Sequence, residues 1–172
     1  MSERADRPRR ERPFTTVVDV LRTRIDRDDF DAALFALETV AADLGYGDIR
    51  ALPGSIEWID WLRAHGKRVG AFATGERAEA ALELAGIADR FDSVTTGGRT
   101  VPTLLAALDE LGRPPARTIV VAATAKGVAA ALDAEAAVVI AVARGFSTPE
   151  ELRHAGAHTV VADVRELLRA VT

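Results

Sequence analysis

The chain has 172 residues, of which 48% are hydrophobic and 28% are charged, and its formal net charge is −4. This length fits one ordinary globular domain with a buried core. The lack of cysteine excludes a disulfide framework, a thiolate metal site and a cysteine nucleophile. No apolar run is long enough to span a bilayer, and no apolar signal segment follows the first residues, so we expect a cytoplasmic protein with no membrane contact.

The charge is unevenly distributed along the chain. Residues 1–12 contain five arginines against three acidic residues, so the remaining chain is more acidic than the total suggests. An acidic body argues against nucleic-acid binding, which depends on neutralising phosphates. Because short, charged segments without apolar residues are typically disordered, we expect residues 1–13 to form an Arg-rich tail.

The first element after the tail is a short amphipathic segment. Apolar residues at helical spacing between Phe14 and Ile25 predict a helix, although Thr15–Val20 would also suit a strand. We therefore expect residues 14–29 to form an N-terminal segment, followed by a main domain over residues 30–172.

In the main domain, strand-like runs alternate with amphipathic helices. Short apolar runs predict strands at Ala32–Leu37, Arg68–Ala73, Ser93–Thr95, Thr118–Ala123, Val138–Val142 and Thr159–Ala162. Helical spacing of apolar residues predicts helices at Ser55–His65, Glu76–Ala85, Val101–Leu111, Ala125–Ala134, Thr148–Ala155 and Val164–Val171. Apolar strands joined by helices indicate a parallel sheet covered on both faces, so we predict an α/β fold, a Rossmann-like doubly wound sheet.

In such folds, ligands bind beyond the carboxyl ends of the strands. The residues that follow four of the predicted strands, at 36–40, 74–77, 95–99 and 122–125, are mostly alanine, threonine and glycine. No dinucleotide fingerprint, phosphate-binding loop or nucleophile elbow occurs. The predicted site is therefore poor in side chains that perform chemistry.

Five segments of the main domain are similar, in order and spacing, to one known family. They are Phe30–Val40, Pro53–Gly70, Ala85–Asp92, Gly127–Ala131 and Ala155–Asp163. Together they resemble the haloacid dehalogenase-like phosphatase superfamily, in its β-phosphoglucomutase-like branch. In that family an aspartate after the first strand attacks the phosphoryl group, and a second aspartate two residues on handles the proton. A hydroxyl and a lysine hold the phosphate, and further acids bind Mg²⁺, which balances the transition-state charge.

At the positions where the family carries its catalytic and metal-binding aspartates, this sequence has other residue types. The nucleophile position falls on Ala36, and the acid–base position falls on Glu38, a carboxylate with one more methylene. The metal-binding acids fall on Ala122 and Ala123. We therefore expect the Mg²⁺ site to be lost and no metal or other cofactor to be bound.

The phosphate-holding positions are partly preserved. The hydroxyl position is matched by Thr74, which Gly75 follows, and this pair before a helix could contact an anion or simply cap the helix. The lysine position falls on Val101, and Arg99 is the nearest substitute. The sequence thus predicts at most a weak anion site at these residues.

The branch that the chain resembles carries a helical cap between the first strand and the Pro-Gly helix. Glu38 and Pro53 are only 15 residues apart, which leaves no room for a cap. With the changed site, this predicts a catalytically degenerate, capless pseudophosphatase that acts as a binding, scaffold or regulatory protein through a protein partner or as a homo-oligomer. The alternative is a haloacid dehalogenase-like hydrolase with weak or altered phosphatase activity that uses Glu38.

Two tryptophans lie three residues apart on the predicted helix Ser55–His65. Trp58, Trp61 and Leu62 share a side and Ile59 is offset, so we expect that the four do not all face one core. An exposed tryptophan would favour an interface. The alternative is that both tryptophans are partly buried.

Overall fold

The computed structural model describes residues 30–73, 78–97 and 100–167 of the chain. The predicted tail at residues 1–13 and the predicted segment at residues 14–29 lie outside these ranges. Within the described ranges, no helix is both long enough and apolar enough to cross a bilayer.

Strands and helices alternate along the described chain as predicted. The strands are β1 (Ala32–Ala36), β2 (Ala41–Asp43), β3 (Ile49–Ala51), β4 (Arg68–Ala73), β5 (Ser93–Thr96), β6 (Thr118–Ala122), β7 (Val138–Val142) and β8 (Thr159–Val161). The helices are α1 (Ser55–Ala64), α2 (Ala78–Leu84), α3 (Val101–Leu111), α4 (Ala125–Asp133) and α5 (Pro149–His154). Every predicted strand is present, and α1–α5 match the first five predicted helices. The last one, Val164–Val171, is described only as far as Leu167.

Six of the strands form one parallel sheet in the order β5-β4-β1-β6-β7-β8. Numbered along the chain, these strands run 3-2-1-4-5-6, which is the doubly wound order. The winding direction reverses between β1 and β6, and in folds of this kind ligands bind in a crevice at such a switch point, beyond the carboxyl ends of the strands. The predicted Rossmann-like α/β fold is confirmed.

Alternate residues of β1 pack into two separate cores, one on each face of the sheet. Phe35 packs among buried residues of α1 and α2 on one face. Leu34 packs among buried residues of α3, α4 and α5 on the other face. A strand covered on both sides has no polar face, which explains the uninterrupted apolar run in the sequence.

The chain between β1 and α1 forms an antiparallel hairpin of β2 and β3, and no helix lies between described residues 40 and 54. The hairpin tip has positive φ angles at Gly45 (98°), Tyr46 (54°) and Gly47 (78°). The Asp43 carboxylate fixes this tip by accepting a hydrogen bond from the Gly45 N–H at 2.8 Å. The sequence analysis missed the hairpin because strands of three residues are too short for alternation to be recognised.

Helix α1 buries a wider face than the sequence predicted. Trp58, Ile59 and Leu62 are all fully buried in the same core. Trp61 is partly buried against that core and stacks on Trp58, with 5.6 Å between ring centroids. The expectation that these residues do not share one core is wrong, because an apolar stripe of about 100° or more is ordinary for a helix on a sheet. The alternative, that both tryptophans are partly buried, holds for Trp61, whereas Trp58 is fully buried.

An ion pair joins the residues that precede β1 and β6 at the amino end of the sheet. The Arg117 guanidinium donates from Nε to Asp31 Oδ2 at 2.6 Å and from Nη2 to Asp31 Oδ1 at 3.1 Å. This hydrogen bonding from Arg117 lowers the pKa of Asp31 below its ordinary value of 3.8, against the opposing effect of burial. Because both side chains remain partly exposed, solvent screens the pair.

We expect Asp31→Asn to lower the free energy of unfolding at neutral pH by about 0.5–1 kcal/mol. The folded-state pKa lies below the unfolded-state value, so the carboxylate stabilises the fold above the unfolded-state pKa. That contribution is lost as the pH falls through the folded-state pKa. Urea titrations stepped down to about pH 2 should therefore show the difference between variant and wild type shrink below about pH 4. A difference that stays constant over this range would contradict the assignment.

Candidate active site at the switch point of the sheet

Ala36 and Ala122, on which the resemblance places the nucleophile and a metal ligand, lie close together at the ends of β1 and β6. Ala36 is the last residue of β1 and is 2% exposed, and it belongs to the same buried cluster as Phe72 and Ala122. Ala123 follows β6 and is also fully buried. Methyl side chains therefore lie at the three positions that the resemblance assigns to carboxylates.

Glu38 lies directly after β1, in a single 3₁₀ turn over Leu37–Thr39. The Thr39 hydroxyl holds this turn by donating to the Ala36 carbonyl oxygen at 2.6 Å. Glu38 is partly buried, and its backbone carbonyl accepts a hydrogen bond from Arg144 Nη1 at 2.9 Å. The structure therefore holds the Arg144 guanidinium against the backbone of the turn that carries Glu38.

The loop after β7 is fastened to both sides of the crevice. Arg144 binds the turn that follows β1, as described above, and Ser147 Oγ accepts from the Ala125 N–H at the start of α4 at 3.1 Å. Helix α4 begins at a cap in which Thr124 Oγ1 accepts from the N–H of Gly127 at 3.0 Å. The carboxyl ends of β1, β6 and β7 are thereby linked by hydrogen bonds.

Sequence reasoning missed Arg144 and Ser147. The candidate site residues were taken from the segments after four predicted strands, and the segment after Val138–Val142 was not among them. The rule that ligands bind beyond the carboxyl ends of parallel strands, applied to that strand as well, would have indicated both residues.

The predicted anion contacts are only partly described by the structure. Thr74, Gly75 and Arg99 lie outside the described residues, and a weak anion site there stays a prediction. Val101 is the first residue of α3 and packs partly buried against the core. The structure thus gives Val101 a packing role.

The residues at the switch point do not fit a Mg²⁺ ion. Magnesium needs oxygen ligands, which proteins supply mainly as carboxylates. Glu38 offers one carboxylate, whereas Ala36, Ala122 and Ala123 offer methyl groups. Across residues 30–73, 78–97 and 100–167, no group of three or more His, Cys, Asp or Glu side chains is placed to hold a metal.

Comparison with solved structures identifies the architecture. A β-phosphoglucomutase-like protein from Thermotoga maritima superposes with a TM-score of 0.73 at 16% identity, over 83% of this chain and 100% of that chain. A hydrolase of the haloacid dehalogenase family from Deinococcus radiodurans R1, solved with bound phosphate and sodium, gives a TM-score of 0.72 at 20% identity, over 84% of this chain and 96% of that chain. The chain has the haloacid dehalogenase-like fold. The resemblance drawn from the sequence is confirmed.

One curated protein extends this likeness to the sequence itself. The trehalose-phosphate phosphatase of Mycobacterium leprae is 30% identical to this chain in an alignment 151 residues long that covers 84% of the chain. The match covers 33% of that phosphatase, so the chain spans about one third of its length. No family model matches the chain.

These relatives correct the functional prediction. A catalytically degenerate binding or scaffold protein was expected, but the relatives with this haloacid dehalogenase-like fold are named as a phosphatase, a hydrolase and a phosphoglucomutase-like protein. The prediction is wrong, and the alternative of a phosphatase with altered activity agrees with the relatives. The expectation of degeneracy rested on the residue types at the family positions alone, and the names of the relatives overturn it.

Proposed function

We propose that this chain is a haloacid dehalogenase-like phosphatase with an altered site, which hydrolyses a phosphomonoester. The observation that carries the proposal is the 30% identity to a trehalose-phosphate phosphatase over 84% of the chain. The name of that relative makes sugar phosphates the substrate class and trehalose phosphate the first ester to test.

Glu38 is the acid–base residue of the proposed reaction. Because Ala36 carries no carboxylate, water is the nucleophile and no phosphorylated enzyme forms at that position. Glu38 accepts a proton from the water as its oxygen bonds to phosphorus. The ester P–O bond breaks and its electron pair leaves with the sugar oxygen. Glu38 then returns the proton to that oxygen, which regenerates the carboxylate and releases the alcohol and inorganic phosphate.

The site differs from the family pattern in two ways that bear on rate. A displacement by water lacks the covalent step that divides one difficult reaction into two easier ones. The hairpin of β2 and β3 replaces a helical cap, so the crevice is more open to water, which weakens electrostatic stabilisation. Both differences support slow turnover.

The test is hydrolysis of a panel of sugar phosphates by the full chain at high protein concentration, in Mg²⁺ and in EDTA. We expect slow phosphate release that co-elutes with the protein on gel filtration and persists in EDTA, because the switch point holds one carboxylate. Release no faster than in buffer, for every ester, would contradict the proposed phosphatase function.

A further inference from the structure

Arg144 makes a contact that links distant parts of the chain at the switch point. Its Nη1 donates to the Glu38 carbonyl oxygen at 2.9 Å, across 106 residues of sequence. Among the described residues this is the one hydrogen bond or ion pair of its side chain. A guanidinium carries five N–H donors, so four remain to bind a ligand.

The loop that carries Arg144 is fixed in place by a second contact. Ser147, three residues on, accepts from the Ala125 N–H at 3.1 Å. Arg144 is itself partly buried, and it is therefore held at the crevice by its own hydrogen bond and by the anchored loop. A cation held in this way loses less conformational entropy on binding a ligand than a freely moving side chain.

The charges at the crevice favour an anion over a metal ion. In the loops after β1 and β7 and the first turn of α4, Glu38 is the one acidic residue, whereas Arg144 and Lys126 are basic. A divalent cation beside Arg144 would be repelled by its guanidinium. A phosphate dianion would instead be attracted by the guanidinium. The N-terminal end of α4 adds a further positive partial charge that favours an anion.

We propose that the Arg144 guanidinium takes the place of a metal ion in this site and binds the phosphate group of the ligand without Mg²⁺. The inference rests on the proposed function for its ligand class. The planar guanidinium matches two phosphate oxygens at once, which a point charge such as lysine does not. Arg144 then holds the phosphoryl group beside Glu38 and offsets the negative charge of its oxygens.

The test measures binding of inorganic phosphate to the full chain by calorimetry and by NMR, first in EDTA and then with Mg²⁺ added. We expect binding in EDTA and a change of less than about twofold on adding Mg²⁺. Arg144→Met should raise the Kd at least about tenfold, since hydrogen bonds to charged groups are the strong ones. The Kd of Arg144→Lys should lie between those of the wild type and Arg144→Met, because lysine keeps the charge and loses the paired donors.

Two controls keep the result interpretable. Arg153→Met removes an exposed arginine from the neighbouring helix α5 and should leave phosphate binding unchanged. The amide spectra of the variants show whether each keeps the fold. If Arg144→Met does not fold, the phosphate affinity of Arg144→Lys decides whether the Arg144 guanidinium binds phosphate. Phosphate binding that needs Mg²⁺, that survives loss of Arg144, or that is undetectable in the wild type would overturn the inference.

The hydrolysis assay separates this inference from the proposed function. Arg144-dependent phosphate binding without turnover would refute the phosphatase function and leave the role of Arg144 standing. Turnover that Arg144→Met leaves unchanged would support the function and refute the role of Arg144.

Discussion

Glu38→Gln is expected to reduce the rate of sugar-phosphate hydrolysis by a factor of about 10²–10⁴. Glutamine has nearly the same shape as glutamate, so it keeps the turn after β1 but does not take a proton from water. Removal of a negative charge beside a phosphate dianion also leaves substrate binding unchanged or slightly tighter. The loss should therefore appear in kcat, with KM unchanged or lower.

The matched control is Glu83→Gln, the same chemical change on the exposed face of α2. Its rate should equal that of the wild type when all three proteins are purified in parallel. A loss confined to Glu38→Gln would then exclude a contaminating phosphatase, which would give the same rate in every preparation. A Glu38→Gln rate within about threefold of the wild type would remove Glu38 from the mechanism, since acid–base catalysis contributes far more than this.

The fold could be predicted from the sequence because each central strand has a recognisable sequence pattern. Thr118–Ala122 and Val138–Val142 are fully buried on both faces, and such strands appear in the sequence as unbroken apolar runs bounded by turns. Right-handed connections then place helices on both faces of the sheet, whereas the strand order itself is known from the structure. The hairpin of β2 and β3 could not be recognised in this way, because its strands are short and mostly exposed or half-buried.

The positions in the site could be predicted, but not what surrounds them. The place of Ala36 and Glu38 at the end of β1 could be predicted because the end of that strand is easily identified, and their roles stay predictions. The hydrogen bond from Arg144 to Glu38 joins residues far apart in sequence, and no local pattern signals such a contact. The functional prediction was drawn from the substituted positions alone, and the relatives corrected it, because residue types at a few positions do not decide function.

The second large effect concerns Trp58, which lies in the core beneath β1. We expect Trp58→Ala to lower the free energy of unfolding by about 3–5 kcal/mol, because it removes a fully buried side chain and leaves a cavity. In thermal denaturation this corresponds to a melting temperature lower by about 6–20 °C for a domain of this size. Trp61→Ala should cost less, since Trp61 is only partly buried.

A further variant separates the packing of Trp58 from its polar atom. The indole Nε1 of Trp58 is buried without a hydrogen-bond partner among the described residues, which is an unfavourable feature of the wild type. Trp58→Phe keeps most of the buried ring and removes this N–H, so it should change the unfolding free energy by no more than about 1.5 kcal/mol. If Trp58→Phe destabilises the fold as strongly as Trp58→Ala, the prediction that the indole N–H contributes nothing is wrong. The core would then be held at α1 by a polar contact of Trp58 as well as by packing.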